Sequence, residues 1–536
     1  MALVQVEPSL ALGSDCLSRL PIELLLRITN HLTTTELCAV RLCSRSLESA
    51  LRHFFLLEFF QRKQFMLTDF SLQTLLAIAR HPVMSQSLRH VSFGVEEFCD
   101  PDRCAQSIEQ ALIFDKAVAQ QKTLLTNGRG LQLLTTAFSL LHNLETVQLR
   151  DFPSRTRYRD GPSAAWTSYG FRSMREQLGK NAHYQLANTR NPDFSSRAFA
   201  LIMAALAQAN ARPPNIKVLI HTKVAGLKDF AFDLTPMPCL NLPGISAGNG
   251  ADVDTLDVLA GLRQLHLKLQ FILHPLKTRH IRLDDPHLSG RSRLAAMESL
   301  PLHAWLAHCP KVEWLRLNLH KEARHYNDVF LSRLGSPLPA YYPLPPGSVA
   351  SRNITMPFAS KLRRLDLGIA CCSPGVLLDV LGRFPALEHL SLYRFSLLYE
   401  RDSAETPDNV WNKFLSTLAK SPLGWQLKKI SLRRLSTVTR FHIHPYSRKT
   451  HAVKLDGSDG IKYTAELDKP VALWLHNLSI STIRKFSLEE DDSDLDDMDI
   501  SDGGSKDYLH KEREDSFTED EFEDGEDAQD EVDDFW

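Results

Sequence analysis

Few side chains in this sequence are spaced for catalysis. His442, His444 and His451 fall within ten residues and could hold a metal ion, but no Cys or acidic partner stands at ligand spacing, so a solvated loop is the simpler reading. Cys371 and Cys372 are adjacent and come just after a predicted strand, a place where small buried residues are commoner than a redox pair. No P-loop, H-E-x-x-H motif or dinucleotide fingerprint is present. The remaining chemistry is binding through charge. A recurring Leu-x-x-Leu-x-Leu pattern alternates with Thr146, Gln148, Arg150; Gln264, His266, Lys268; Trp314, Arg316, Asn318; Arg364, Asp366, Gly368; His389, Ser391, Tyr393; and Lys429, Ser431, Arg433. If the leucines face inward along strands, these residues face outward. Six of them are basic and Asp366 alone is acidic. Such a face suits an acidic or phosphorylated protein segment, with Arg150, Lys268, Trp314, Arg316, Arg364, Tyr393, Lys429 and Arg433 as its contacts. A uniformly basic body would give the same count by chance.

Strands must position these side chains, and the pattern locates them. With aliphatic substitutions it occurs at Leu144-Val147-Leu149, Leu262-Leu265-Leu267, Val312-Leu315-Leu317, Leu362-Leu365-Leu367, Leu387-Leu390-Leu392 and Leu427-Ile430-Leu432, more weakly at Ile216 to Ile220, and after the helix-like Ser71 to Arg80 at Leu88, Val91 and Phe93. Helical apolar stretches precede most copies: Leu131 to Leu141, Arg197 to Ala207, Asp252 to Ala260, Leu294 to Ala307, Val376 to Gly382 and Trp411 to Ala419. Helix and strand units that each bury one face must stack on their neighbours, which is the logic of a solenoid. Most spacings exceed those of a regular leucine-rich repeat. Inserts are therefore expected at Asp151 to Asn191, Pro236 to Gly250, Arg279 to Arg293 and Ser336 to Pro357. Ala452 to Leu455 and Ile461 to Leu467 flank an Asp-Gly-Ser-Asp-Gly turn and read as a hairpin. The competing reading is an α/β fold whose strands happen to contain leucine.

The stretch from Leu20 to Phe60 has a different character. Pro21 precedes Leu24, Leu25, Ile28 and Leu32 at helical spacing, which predicts a helix with Pro at its first position. Thr33 and Glu36 have capping-box spacing, so a second helix starts near Thr34 and carries Leu37, Val40 and Leu42; a third starts near Ser44. About forty residues bury too little to stand alone, so some of these leucines should be covered by another polypeptide. The run LPIELLLRITNHL, the Thr-x-x-Glu-Leu turn and the Leu-Cys-Ser-Arg element resemble an F-box, and the segment from Phe65 to Phe98 resembles the region C-terminal to the F-box in filamentous-fungal F-box proteins. Where many F-boxes carry a Trp after the basic residue of the third element, Arg45 is succeeded by Ser46 and Leu47. The resemblance implies docking to a Skp-type adaptor of a cullin-RING ubiquitin ligase, through Leu20, Pro21, Leu24, Leu25, Ile28, Leu32, Leu37, Val40 and Leu42. It also implies no active site in this chain.

The expected organisation is an α/β protein: a flexible arm over 1–16, a three-helix F-box over 17–60, an irregular leucine-rich-repeat-like solenoid over 61–486 and a disordered acidic tail over 487–536. From Glu489 onward lie 24 of the 64 acidic residues but three of the 62 basic ones, so that stretch carries −21 and the rest +19. Nine scattered cysteines without a CxxC pair suit reduced thiols, and the N-terminus lacks a signal-peptide pattern, so the expected location is intracellular, cytoplasmic or nuclear. No cofactor, metal or membrane partner is expected. Two functions fit: a substrate receptor that presents a protein target for ubiquitination, or an F-box scaffold outside ubiquitination whose basic body meets nucleic acid or an acidic partner. Basic residues here lack the interleaved aromatics of a nucleic-acid platform, which favours the receptor.

Overall fold

The computed structural model describes residues 17–98, 107–151, 159–160, 167–178, 192–220, 226–232, 251–270, 300–319, 324–336, 358–400, 407–440, 450–465, 469–478 and 480–485. The expected tail, the arm and three of the inserts (236–250, 279–293, 337–357) lie outside those residues.

Three helices open the chain: α1 Ile22–Thr29, α2 Thr34–Cys43 and α3 Arg45–Phe60. Pro21 is the N-cap of α1, one residue before the first helical position expected for it. The Thr33–Glu36 capping box forms, with Thr33 N donating to Glu36 Oε2 at 2.8 Å and Glu36 N to Thr33 Oγ1 at 3.3 Å. Ser44 caps α3 by accepting from Leu47 N at 3.1 Å. Leu25, Leu37, Leu47, Leu51 and Phe59 form the small core between the three helices. The Arg41 guanidinium lies over Phe55, 3.4 Å from the ring centroid.

All eight copies of the leucine pattern are strands, and they pair in sequence order. The ladder is β1 Arg62–Met66, β2 His90–Gly94, β3 Thr146–Arg150, β4 Asn215–Leu219, β5 Gln264–Lys268, β6 Trp314–Asn318, β7 Arg364–Gly368, β9 His389–Tyr393 and β11 Lys429–Arg433, every neighbouring pair parallel. Its register is constant: Val91, Val147, Ile216, Leu265, Leu315, Leu365, Leu390 and Ile430 share one row. That row is buried, as is the row of Phe93, Leu149, Val218, Leu267, Leu317, Leu367, Leu392 and Leu432, in one core continuous with the crossover helices. A parallel ladder needs a crossover for each strand, and helices such as Arg129–Leu140, Pro192–Gln208 and Pro407–Lys420 supply it. This is a leucine-rich-repeat-like solenoid, and the plain α/β alternative falls. β1, whose Arg-Lys-Gln-Phe-Met carries no leucine pattern, was invisible to the motif.

The last three repeats add a second sheet that the leucine spacing does not reveal. Ile369, Arg394 and Arg434, each one residue past its strand, adopt φ of 53°, 48° and 51°. That left-handed step, costly for a side chain with Cβ, turns the chain into β8 Cys371–Cys372, β10 Ser396–Glu400 and β12 Ser436–Arg440. These three pair in parallel beside the main ladder. Cys371 and Cys372 are accordingly buried, and burial pushes the Cys372 thiol up.

The expected hairpin needs correction. Asp456 and Gly457, at φ 46° and 79°, do make a tight turn, with Leu455 and Ser458 exchanging backbone hydrogen bonds at 2.9 Å. Its arms then part. β13 Thr450–Leu455 runs antiparallel to β12 and to β15 Ile480–Lys485, while β14 Gly460–Thr464 runs antiparallel to β11. One turn therefore places an antiparallel strand on each of the two sheets, and both parallel ladders end there.

The insert after β3 is more than the loop expected. It contains the helix Phe171–Leu178, and its Tyr169 bridges Phe65 on the free edge of β1. Tyr169 N donates to Gln64 O at 2.8 Å, and Tyr169 stacks on Phe70 with centroids 5.7 Å apart. An exposed sheet edge is thereby covered.

Candidate functional site

Two surfaces carry the residues singled out above. On the F-box helices the structure divides them. Leu24, Ile28 and Leu42 are exposed, at 45%, 42% and 87%, and Pro21 is exposed beside them. Leu20, Leu32 and Val40 are half-buried. Leu25 and Leu37 are not available to a partner: at 2% and 3% exposure they belong to the helices' own core. Helical spacing could not separate them, because neighbouring leucines in α1 lie on either side of a boundary that only packing draws. Leu17, also 42% exposed, is a further uncovered apolar side chain and was not foreseen.

The second surface is the sheet face opposite the leucines. Its central row reads Gln64, Ser92, Gln148, Lys217, His266, Arg316, Asp366, Ser391, Ser431 and Lys462 across ten strands. Here the expectation of solvent-facing side chains is corrected. Lys268 and His266 are only 4% and 3% exposed, and Arg150, Trp314, Arg316, Arg364, Tyr393, Lys429 and Arg433 are half-buried. Strands stand about 4.8 Å apart, so long side chains on adjacent rungs cover one another.

Trp314 is the centre of that packing. Its Nε1 donates to Asp366 Oδ2 at 2.8 Å, the Arg364 guanidinium carbon lies 3.9 Å from its ring centroid, and the His266 ring meets it edge-on at 4.5 Å. Lys217 Nζ is 5.8 Å from the same ring. Arg364 Nε also reaches Asp366 Oδ2 at 3.1 Å. Burial first, then the charges of Lys217, Arg316 and Arg364, hold His266 well below the usual imidazole range. His389 is lowered by burial and then by Arg364 and Lys429. Beyond burial, the nearby cations Lys217, Arg316, Arg364 and Lys429 act on these histidines in the same direction, while Glu388 and Asp366 oppose them at His389. Lys217, on the weakest copy of the pattern, completes the group and was missed because β4 was read without its polar positions. Further along, Tyr393 has Arg394 and Arg434 guanidinium carbons 5.5 and 5.9 Å from its ring.

Among the described residues no three His, Cys, Asp or Glu side chains converge as a metal site would require. His442 and His444 lie outside the described residues. Gly244-Ile245-Ser246-Ala247-Gly248 has the G-x-S-x-G spacing of a nucleophile elbow, which means something only between a strand and a helix; it too lies outside the described residues. Among the described residues no helix is long and apolar enough to cross a membrane.

Residues 17–58 match the F-box domain family, so the N-terminal helices are an F-box, a module that binds Skp-type adaptors. No curated protein matches the chain. Among solved structures, the leucine-rich repeat-containing protein LegL7 from Legionella pneumophila aligns at 13% identity and a TM-score of 0.22, over 72% of this chain and 94% of that one. The repeat assignment rests on the ladder itself.

Proposed function

We propose that this chain is the substrate-recognition subunit of an SCF-type cullin-RING ubiquitin ligase, acting inside the cell, in cytoplasm or nucleus. The F-box docks the adaptor through the exposed Pro21, Leu24, Ile28 and Leu42 and the half-buried Leu20, and the adaptor joins it to a cullin. The polar face of the main sheet holds a protein target. The observation that carries this reading is an F-box with exposed apolar side chains joined to a long repeat ladder whose polar face gathers Lys217, Lys268, Arg316 and Arg364 on adjacent strands. A positive face prefers an acidic or phosphorylated target segment. The chain itself does no chemistry in this scheme; it supplies proximity for a transfer made by its partners.

The test is co-purification of the full chain with a Skp-type adaptor and a cullin. The wild type should retain both, and Leu20→Ala with Pro21→Ala should lose both while the solenoid stays folded. Retention of the adaptor without cullin would favour the F-box scaffold acting outside ubiquitination. Undiminished adaptor binding by the double variant would remove the docking assignment.

A further inference from the structure

The insert after β3 touches the F-box as well as the sheet. Arg159 lies with its side chain 9% exposed between the end of α1 and the last turn of α3. Its Nε and Nη2 donate to Glu58 Oε1 and Oε2 at 2.7 and 2.8 Å, a two-pronged ion pair to the last turn of α3. Its Nη1 donates to Thr29 O, on the last residue of α1, and, at 2.9 Å, to Leu32 O in the turn that leads to α2. The next residue, Asp160, accepts from Thr34 N at 2.7 Å and from Thr34 Oγ1 at 2.5 Å at the start of α2. A cation at one helix C-terminus and an anion at another helix N-terminus both match the helix dipoles.

Eight residues further on, the same insert grips the solenoid. Gln64 Nε2 donates to Ser168 Oγ at 2.9 Å, Ser71 Oγ to Tyr169 O at 2.9 Å, and Ser168 Oγ to the Glu96 carboxyl. Apart from the insert, the F-box meets the ladder through α3, which runs on through Gln61 into β1 and packs against β1 and the short helix Met84–Ser87, with Phe60 between the two cores. That contact involves one of the three helices, and among the described residues α1 and α2 are held to the ladder through α3 and the insert. The insert adds a second tether more than a hundred residues away in sequence, and it sits at the helix ends, leaving Leu24, Ile28 and Leu42 uncovered.

We propose that Arg159 is a positioning residue: with Asp160 it locks the F-box to the first strands, so that a docked adaptor and the polar sheet face are held at one mutual angle. This rests on the receptor reading for its purpose, though not for its geometry. In a ligase the angle decides where a bound target lies relative to the transferring enzyme, so a lock has a function that a floppy tether lacks.

The experiment is a distance measurement by electron spin resonance on the full chain, labelled at the exposed Ser49 in α3 and Ser139 in the helix Arg129–Leu140, free and bound to a Skp-type adaptor. The wild type should give one narrow distribution in both states. Arg159→Ala should broaden it while adaptor affinity stays unchanged, and Arg159→Lys, which keeps the charge but loses the fork, should fall between. Asp160→Ala should broaden it as well, and serves if Arg159→Ala folds poorly. Distributions as narrow as the wild type in Arg159→Ala and Asp160→Ala would overturn the lock. Loss of adaptor affinity in Arg159→Ala would overturn it too, by showing that Arg159 maintains the F-box fold instead. If the wild type binds no adaptor, the receptor reading fails, and the free-chain distances still decide the lock.

Discussion

The Arg364 guanidinium carbon lies over the Trp314 indole, 3.9 Å from the ring centroid, while both side chains bond to the same carboxylate, Asp366. The residues expected to be independent contacts for a target are thus one packed unit. Arg364→Glu would set a second carboxylate against Asp366 and disturb the fold, which makes it a poor probe of binding. Arg316→Gln is the cleaner probe. Because Arg316 is one of the charges that lower His266, its removal should raise the His266 pKa, though burial, the first cause, keeps it under the ordinary value. An NMR titration of the His266 ring checks this; no upward movement would mean that Arg316 does not shape the field over the face.

The F-box leucines separate into two classes with opposite behaviour. Leu25→Ala empties a core position and should cost about 2 to 5 kcal/mol of F-box stability, with adaptor binding lost through unfolding. Leu24→Ala and Ile28→Ala should each change stability by about 0.5 kcal/mol or less. Each should still weaken adaptor binding, by up to roughly 1.5 to 3 kcal/mol if the side chain is fully covered. Hydrogen exchange on the F-box amides together with adaptor titration distinguishes the classes.

Glu96 should make stability pH-dependent. Burial of its carboxyl, whose Oε2 is fully enclosed although the residue as a whole is partly exposed, raises its pKa from 4.5 to about 7. The folded state therefore holds the proton more tightly than the unfolded chain. Its contribution is full below pH 4.5 and is lost as pH rises through about 7. Glu96→Gln should flatten this slope and gain at most about 3 kcal/mol at pH 8. Urea unfolding of both forms at pH 5 and pH 8 is the measurement, and equal slopes would place Glu96 in water.

The residues just before the strands form a row bonded through their backbones: Arg89, Glu145, Pro214, Arg263, Glu313, Arg363, Glu388 and Lys428. Their charges alternate wherever two charged residues adjoin, as in the Lys428–Glu388 pair at 2.9 Å, and Glu388 is held below the usual carboxylate range by Lys428 and then Arg363. Reversing Arg363 to Glu puts three acids in line and should destabilise by about 1 kcal/mol, less at high salt. Thermal unfolding at two ionic strengths checks it.

The acidic stretch from Glu489 lies outside the described residues, but its −21 against a +19 body supports an expectation about binding. We propose that, joined to the chain, it competes with an acidic target for the basic face, tethering giving an effective concentration that can reach the order of millimolar. Phosphorylation of Ser493 or Thr518, each with acids just downstream, would add to it. A chain ending at Leu488 should bind an acidic peptide more tightly than the full chain at low salt, with the advantage shrinking at physiological salt. Equal affinities at low salt would leave the tail without a competitive role.

By itself the sequence determined the local elements and their class. Thr33 and Glu36 specify a helix start through hydrogen bonds made within four residues, and Leu365 and Leu367 specify an inward face through the two-residue period of a strand; neither needs a distant partner. Which leucines stay uncovered was decided only in three dimensions, since Leu24 and Leu25 differ by which side of α1 meets α2 and α3. The second sheet depends on left-handed turns at Ile369, Arg394 and Arg434, residue types that give no turn signal, and those conformations persist because the strands on both sides hold them. The Asp456-Gly457 turn was legible but the parting of its arms was not, because a turn sets the chain's direction while the available strand edges choose the partners. Arg159 and Glu58 are 101 residues apart in sequence, and no local rule pairs them; only the folding of the insert back across β1 brings the guanidinium to the carboxylate.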